Sequence, residues 1–146
     1  MGLQPPDLEA RDLAAGISNV ADTMRARHGL PVYVSVTPPD AGKGLPRETQ
    51  TSLYRCAQEM LQNVVKHAQA SEVYVYIEED DGTLTLSVWD DGKGFEVPGR
   101  VLDFVRQGHF GLAGLEQRAR RLGGVLRIRS AAGTGTQVSI IVRLGR

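Results

Sequence analysis

Between Asp12 and Arg27 the apolar residues Leu13, Ile17, Val20, Ala21 and Met24 recur at helical spacing, and the pattern stops at Gly29. Pro31 then leads into Val32-Tyr33-Val34-Ser35-Val36, whose alternation predicts a strand. The run from Pro38 to Gly44 is loop by composition, and Pro46 opens a long helix expected to reach about Ala68. Leu53, Ala57, Met60, Leu61 and Val64 form its core stripe. Glu72 to Glu79 and Thr83 to Asp90 alternate as strands, with Asp80-Asp81-Gly82 as a hairpin signal between them. Residues 95 to 110 are irregular, with one short helix expected around Val101 to Arg106. Gly111 opens a helix ending near Leu122 at Gly123-Gly124, and strands Val125 to Ser130 and Thr136 to Leu144 flank a glycine-rich turn. Helices that alternate with hairpin strands predict an α/β two-layer sandwich: a mixed, mostly antiparallel sheet with about three helices on one face.

Composition narrows the class. A chain of 146 residues with 41% hydrophobic content fits one domain with a real core. No apolar run approaches the roughly 20 residues of a membrane span, and the N-terminus has no signal-peptide pattern. The single cysteine, Cys56, excludes an internal disulfide framework, suits a reducing cytosol and reads as a small core hydrophobe. Net charge is zero, but residues 72 to 103 are mostly acidic and residues 111 to 146 carry seven arginines against Glu116. No aromatic interleaving or nucleic-acid motif accompanies those arginines, so they are expected to be solvated.

Four short motifs carry the chemistry: Glu59-x-x-x-Asn63-x-x-Lys66-His67, Asp90-Asp91-Gly92-Lys93-Gly94, Gly111-Leu112-Ala113-Gly114 and Gly133-Thr134-Gly135-Thr136. On an α-helix, Glu59, Asn63, Lys66 and His67 fall within an arc of roughly 100°, beside the core stripe. Asn63 is a poor helix former in mid-helix, where Lys or Glu would serve a plain solvent face better. Asp90 ends a strand and can accept from an exocyclic amine, while Gly92 and Gly94 allow close backbone approach. Gly111 and Gly114 at a helix start can turn backbone N–H groups toward phosphate. Taken singly, each motif also reads as an ordinary solvent face or turn. The chain lacks both G-x-x-x-x-G-K-[ST] and G-x-G-x-x-G.

In this order the motifs resemble the N box, two glycine boxes and final Gly-Thr segment of the ATP-binding fold of sensor histidine kinases, type II topoisomerases, mismatch-repair ATPases and heat-shock chaperones. Residues 59 to 68, with Gly111-Leu112-Ala113-Gly114-Leu115, Arg118-Ala119 and Leu122-Gly123-Gly124, resemble the kinase branch paired with helix-turn-helix response regulators. The resemblance implies ATP and Mg²⁺ as cofactors. It implies Glu59 as general base or water-orienting carboxylate, Asn63 as Mg²⁺ ligand through its side-chain oxygen, and Lys66 and His67 as phosphate contacts. Asp90 would hold the adenine amine, with Thr136 acting through water, and Gly92 and Gly94 would pass the base. Gly111, Leu112 and Gly114 would form the phosphate side, and residues 95 to 110, including His109, a short lid. Glu116 and Gln117 depart from the branch, which often has an arginine and a glutamate there.

Residues 1 to 10 are expected to be linker from a dimerisation domain, and residues 11 to 146 the catalytic domain. A phosphoacceptor histidine needs a dimerisation helix, and none of the three histidines fits: His28 ends the first helix, while His67 and His109 belong to the nucleotide site. The implied partner is therefore a separate dimerisation domain of the same kinase, and indirectly a response regulator. No direct nucleic-acid or membrane contact is expected. The piece should be monomeric and cytoplasmic, whether or not the full-length protein is membrane-anchored. Two other functions stay open: an anti-sigma-factor serine kinase of the same superfamily, and a nucleotide-binding regulatory module without transfer.

Overall fold

The computed structural model describes residues 12–94 and 110–144. Helix α1 spans Leu13–His28. The Asp12 side chain caps it by accepting from the Ala15 N–H, and Gly29 ends it in the left-handed conformation with φ 62°. Strand β1 is Val32–Thr37 and helix α2 is Arg47–Asn63, with Pro46 just ahead of its first turn. Gln50 is buried yet satisfied: it accepts from the Leu13 N–H at 3.1 Å and donates to the Leu45 carbonyl at 2.9 Å, tying α1 to α2.

One departure from expectation lies at the end of α2. The α-helical pattern stops at Asn63, and Val64–Ala68 forms a π-helical turn closed by Gln69 at φ 54°. The Ala68 carbonyl so exposed accepts from the Lys93 N–H at 2.7 Å, tying the turn to the loop after the second hairpin strand.

Strands β2 (Val73–Asp80) and β3 (Thr83–Asp90) form the expected hairpin. Asp81 and Gly82 both have positive φ, 48° and 74°, as a type I′ turn requires. Helix α3 is Phe110–Arg121, and strands β4 (Val125–Ser130) and β5 (Thr136–Arg143) complete the chain. The sheet order is β1-β2-β3-β5-β4, with only β1 and β2 parallel. Val73, Val75, Ile77, Leu84, Leu86, Val88, Val138, Ile140 and Val142 point one way and are buried under the helices. The architecture is the expected α/β sandwich. The linker at residues 1–10, the short helix at 101–106, the lid and His109 lie outside the described residues. Among the described residues, no helix is long and apolar enough to cross a membrane.

Candidate functional site

Alternation along β3 puts Leu84, Leu86, Val88 and Asp90 on the helix side, so Asp90 is the polar end of an apolar stripe. Its partner across the ladder is Thr136, the first residue of β5, which in turn faces Ser130 on β4. Beyond these strand ends a cleft of about 350 Å³ opens between the sheet, the end of α2 and the start of α3. Met60, Val64, Val88, Leu112 and Val138 make apolar walls, while Asn63, His67, Asp90, Lys93 and Thr136 supply the polar groups. Pockets of this type, largely apolar with a few fixed polar groups, suit a planar ligand held by specific hydrogen bonds.

Asp90 Oδ1 accepts from the Gly92 N–H at 2.8 Å. Burial raises its pKa above the ordinary aspartate value, against the Gly92 N–H, which lowers it, and the Asp91 charge, which raises it further. The Ser130 hydroxyl donates to the Gly135 carbonyl at 2.9 Å, so the 2.8 Å contact between Ser130 and Thr136 is donated by Thr136. Both Asp90 and Thr136 thus keep lone pairs available at the cleft. That pair can accept from an amine donor.

The neighbouring carboxylate does different work. Asp91 accepts from the backbone N–H of Ser71 at 2.8 Å and of Glu72 at 3.1 Å, and from the Ser71 hydroxyl. These bonds, the Ser71 hydroxyl foremost, hold its pKa below the ordinary value. Asp91 therefore fixes the entry to β2, and Asp90 alone faces the cleft.

Gly92 and Gly94 sit against protein backbone. A Cβ on Gly92 would run into the Ala68 carbonyl, and one on Gly94, at φ 65°, into the Ala131 carbonyl. Lys93, between them, is pinned on both sides, donating to Ala68 and accepting from Gly133 at 2.5 Å. The loop is thereby locked between the π turn and the 131–135 turn.

Of the residues singled out from sequence, Asn63, His67, Asp90, Gly94, Leu112 and Thr136 line the cleft, with Gly92 directly behind it. Glu59 does not: it lines a neighbouring polar hollow with Arg55, Gln58, Gln62 and Arg118. Lys66 and Gly114 are exposed and line neither, and Gly111 lies in the first turn of α3. Glu116 pairs within its own helix with Arg120 at 3.0 Å. Sequence reasoning missed Lys93 and the walls Met60, Val64, Val88 and Val138 as lining. The alternation placing Asp90 and Thr136 inward carried the signal for the two strand valines.

Asn63 Nδ2 is buried with no acceptor among the described residues, an uncommon and costly state for an amide. No group of three or more His, Cys, Asp or Glu side chains among them forms a metal cluster. The orphaned Nδ2 is a donor and calls for an acceptor such as a phosphate oxygen, while the Oδ1 of the same amide is a neutral oxygen of the kind Mg²⁺ takes, the rest of its shell being phosphate oxygens and water.

The match to the family model described as histidine kinase-, DNA gyrase B-, and HSP90-like ATPase covers residues 48–146, and the chain belongs to this ATP-binding family. It is 32% identical over 140 residues to the sensor histidine kinase LiaS of Bacillus subtilis, covering 96% of this chain and 36% of LiaS. It is 39% identical over 101 residues to the signal transduction histidine-protein kinase/phosphatase DegS of Brevibacillus brevis, covering 69% of this chain and 25% of DegS. The chain thus spans about a third and a quarter of those relatives. The blue-light activated histidine kinase EL346 of Erythrobacter litoralis superimposes with a TM-score of 0.71 at 27% identity, over 92% of this chain and 46% of that one.

Proposed function

We propose that this chain is the ATP-binding catalytic domain of a sensor histidine kinase, transferring the γ-phosphoryl group of Mg·ATP to a histidine on a separate dimerisation domain. The observation that carries the proposal is the Asp90–Thr136 acceptor pair at the end of an apolar cleft, in a chain whose relatives are sensor histidine kinases.

Met60, Val64, Val88, Leu112 and Val138 would sandwich the adenine, and Asp90, with Thr136, would take its amino protons. Asn63 would hold Mg²⁺, which when bound neutralises phosphate charge and orients the γ-phosphoryl group. His67 and Lys93 at the cleft, with Lys66 nearby on the π turn, offer contacts to phosphate. Gly111 and Gly114 at the start of α3 and His109 before them would close over the phosphates. Glu59, in the hollow between α2 and α3, is suited to take the proton from an incoming histidine on that side. Residues 1–10 would be the linker to the dimerisation domain and residues 11–146 the catalytic domain. A response regulator would receive the phosphoryl group in turn, in the cytoplasm.

Calorimetric titration tests the adenine site, and transfer of labelled phosphate to the purified dimerisation domain tests the reaction. Mg·ATP should bind in the micromolar to millimolar range, about −4 to −8 kcal/mol. Absence of heat with ATP, or equal affinity for GTP, would refute the site.

A further inference from the structure

The sheet face opposite the helices is unusual for a solvated β-surface. Register aligns its outward side chains into transverse rows. One reads Tyr33, Tyr74, Trp89, Gln137 and Arg129 from one edge to the other, and the next reads Ser35, Tyr76, Ser87, Ser139 and Arg127. Tyr33, Tyr74 and Trp89 are 48%, 38% and 44% exposed. Their rings are nonetheless ordered by one another. Tyr33 stacks on Tyr74 at 5.2 Å, Tyr74 on Tyr76 at 6.3 Å, and Tyr76 meets Trp89 edge-on at 5.5 Å. Beside this ridge the second row is low, with Ser87 and Ser139 hydrogen-bonded at 2.9 Å and almost wholly covered.

Ordered Tyr and Trp side chains next to Arg make up the composition that carries binding energy at protein interfaces. Because the rings already hold their positions, a partner would cost them little further rotamer freedom. The charges on this face are divided by edge. Arg127 and Arg129 lie on β4, whereas Glu78 lies on β2 and Glu72, just before that strand, is close enough for its charge to raise the pKa of the Tyr74 hydroxyl.

We propose that this aromatic face pairs with the same face of a second copy of the chain, about a two-fold axis parallel to the strands. That rotation carries β4 of each copy over β1 and β2 of the other. Arg129 then meets Tyr33 and Glu72, twice, and Trp89 meets its own counterpart near the axis. Cation–π contact and charge attraction both favour this arrangement. Rotation about the perpendicular in-plane axis instead lays each strand over its own counterpart, so the β4 arginines meet β4 arginines and the acidic β2 meets acidic β2, and the charges repel. Five strands about 4.8 Å apart and about 20 Å long present roughly 500 Å² per copy. The total, about 1,000 Å², lies at the low end for specific contacts, so the pairing is weak and reversible. The chain is monomeric when dilute.

Sedimentation of the 146-residue chain up to about 1 mM, where weak pairs form, provides the test. A concentration-dependent monomer–dimer equilibrium is expected, weakened at least about tenfold by Trp89→Ala. Arg129→Glu and Glu72→Arg should each abolish it. An equimolar mixture of those two variants should recover it, because both Arg–Glu contacts reform in the mixed pair. Independently of any variant, dilution of the native chain should shift the Trp89 indole and the Tyr33 and Tyr74 amide resonances. A chain that stays monomeric, a dimer indifferent to Trp89→Ala, or a mixture that fails to recover would each overturn the proposal, as would dilution shifts confined to other surfaces.

Discussion

At Asp90 two requirements oppose each other. The carboxylate must be charged to accept strongly from an amine, yet burial raises its pKa and disfavours that charge. ATP affinity is therefore expected to fall as pH drops through the raised pKa. Stability runs the other way. The folded-state pKa lies above the unfolded one, so the group favours folding most below the unfolded pKa. That contribution is lost as pH rises through the folded value. Asp90→Asn keeps an oxygen for the Gly92 N–H but presents a donor to the adenine amine. It should raise the thermal midpoint near neutral pH while weakening ATP by roughly tenfold to a hundredfold and GTP far less. Unchanged ATP titration curves would remove Asp90 from the adenine site. The roles proposed for Asn63 and Glu59, metal ligand and base, can be told apart: Asn63→Ala should abolish the Mg²⁺ dependence of ATP binding. Glu59→Gln should leave affinity nearly intact and slow transfer by about 10²-fold or more. Loss of ATP binding in Glu59→Gln would instead give that carboxylate a structural role.

At the level of elements, what was legible in the chain was local. Asp12 and Gly29 bound α1, and Asp81-Gly82 turns the β2–β3 hairpin, because caps and turns are made by the residues that form them. Alternation on β3 and β5 set Asp90 and Thr136 on the helix side for the same reason. The π turn was not legible, because part of its stabilisation comes from Lys93, 25 residues beyond Ala68 in sequence (93 − 68). With it failed the single α-helical arc for Glu59, Asn63, Lys66 and His67. A π turn advances fewer degrees per residue, and it leaves Asn63 and His67 at the cleft while Lys66 faces solvent. Gly92 looked from sequence like a ligand-facing glycine, whereas its neighbour is the Ala68 carbonyl. Gly92→Ala should therefore destabilise the folded chain by about 1–3 kcal/mol, by forcing apart the loop and the π turn. It should weaken ATP binding as well. Urea unfolding measures the first effect, and an unchanged midpoint would mean that the two backbones separate freely.

For the whole molecule, the decisive question is where the phosphoryl group goes. In the proposed reaction a histidine acceptor would have to reach the γ-phosphate, and neither described histidine is built for that: His28 sits in the last turn of α1, and His67 belongs to the wall of the cleft itself. Glu59 and Arg118 line a hollow beside the cleft, on the helix layer, where the proposed reaction would bring the helix of another domain. The sheet's far face, opposite the helix layer, carries the aromatic row. Incubated alone with labelled ATP, the chain is thus expected to incorporate no stoichiometric acid-labile phosphate. Added to the dimerisation domain of its own full-length protein, it should phosphorylate that domain slowly. Tethering supplies an effective concentration in the millimolar range, and the separated pair lacks it. Joining the two pieces by a flexible linker should therefore restore the rate, whereas a linker too short to span them should not. Stoichiometric labelling of His28 in the isolated chain would sink the reading, because the acceptor would then lie within this domain.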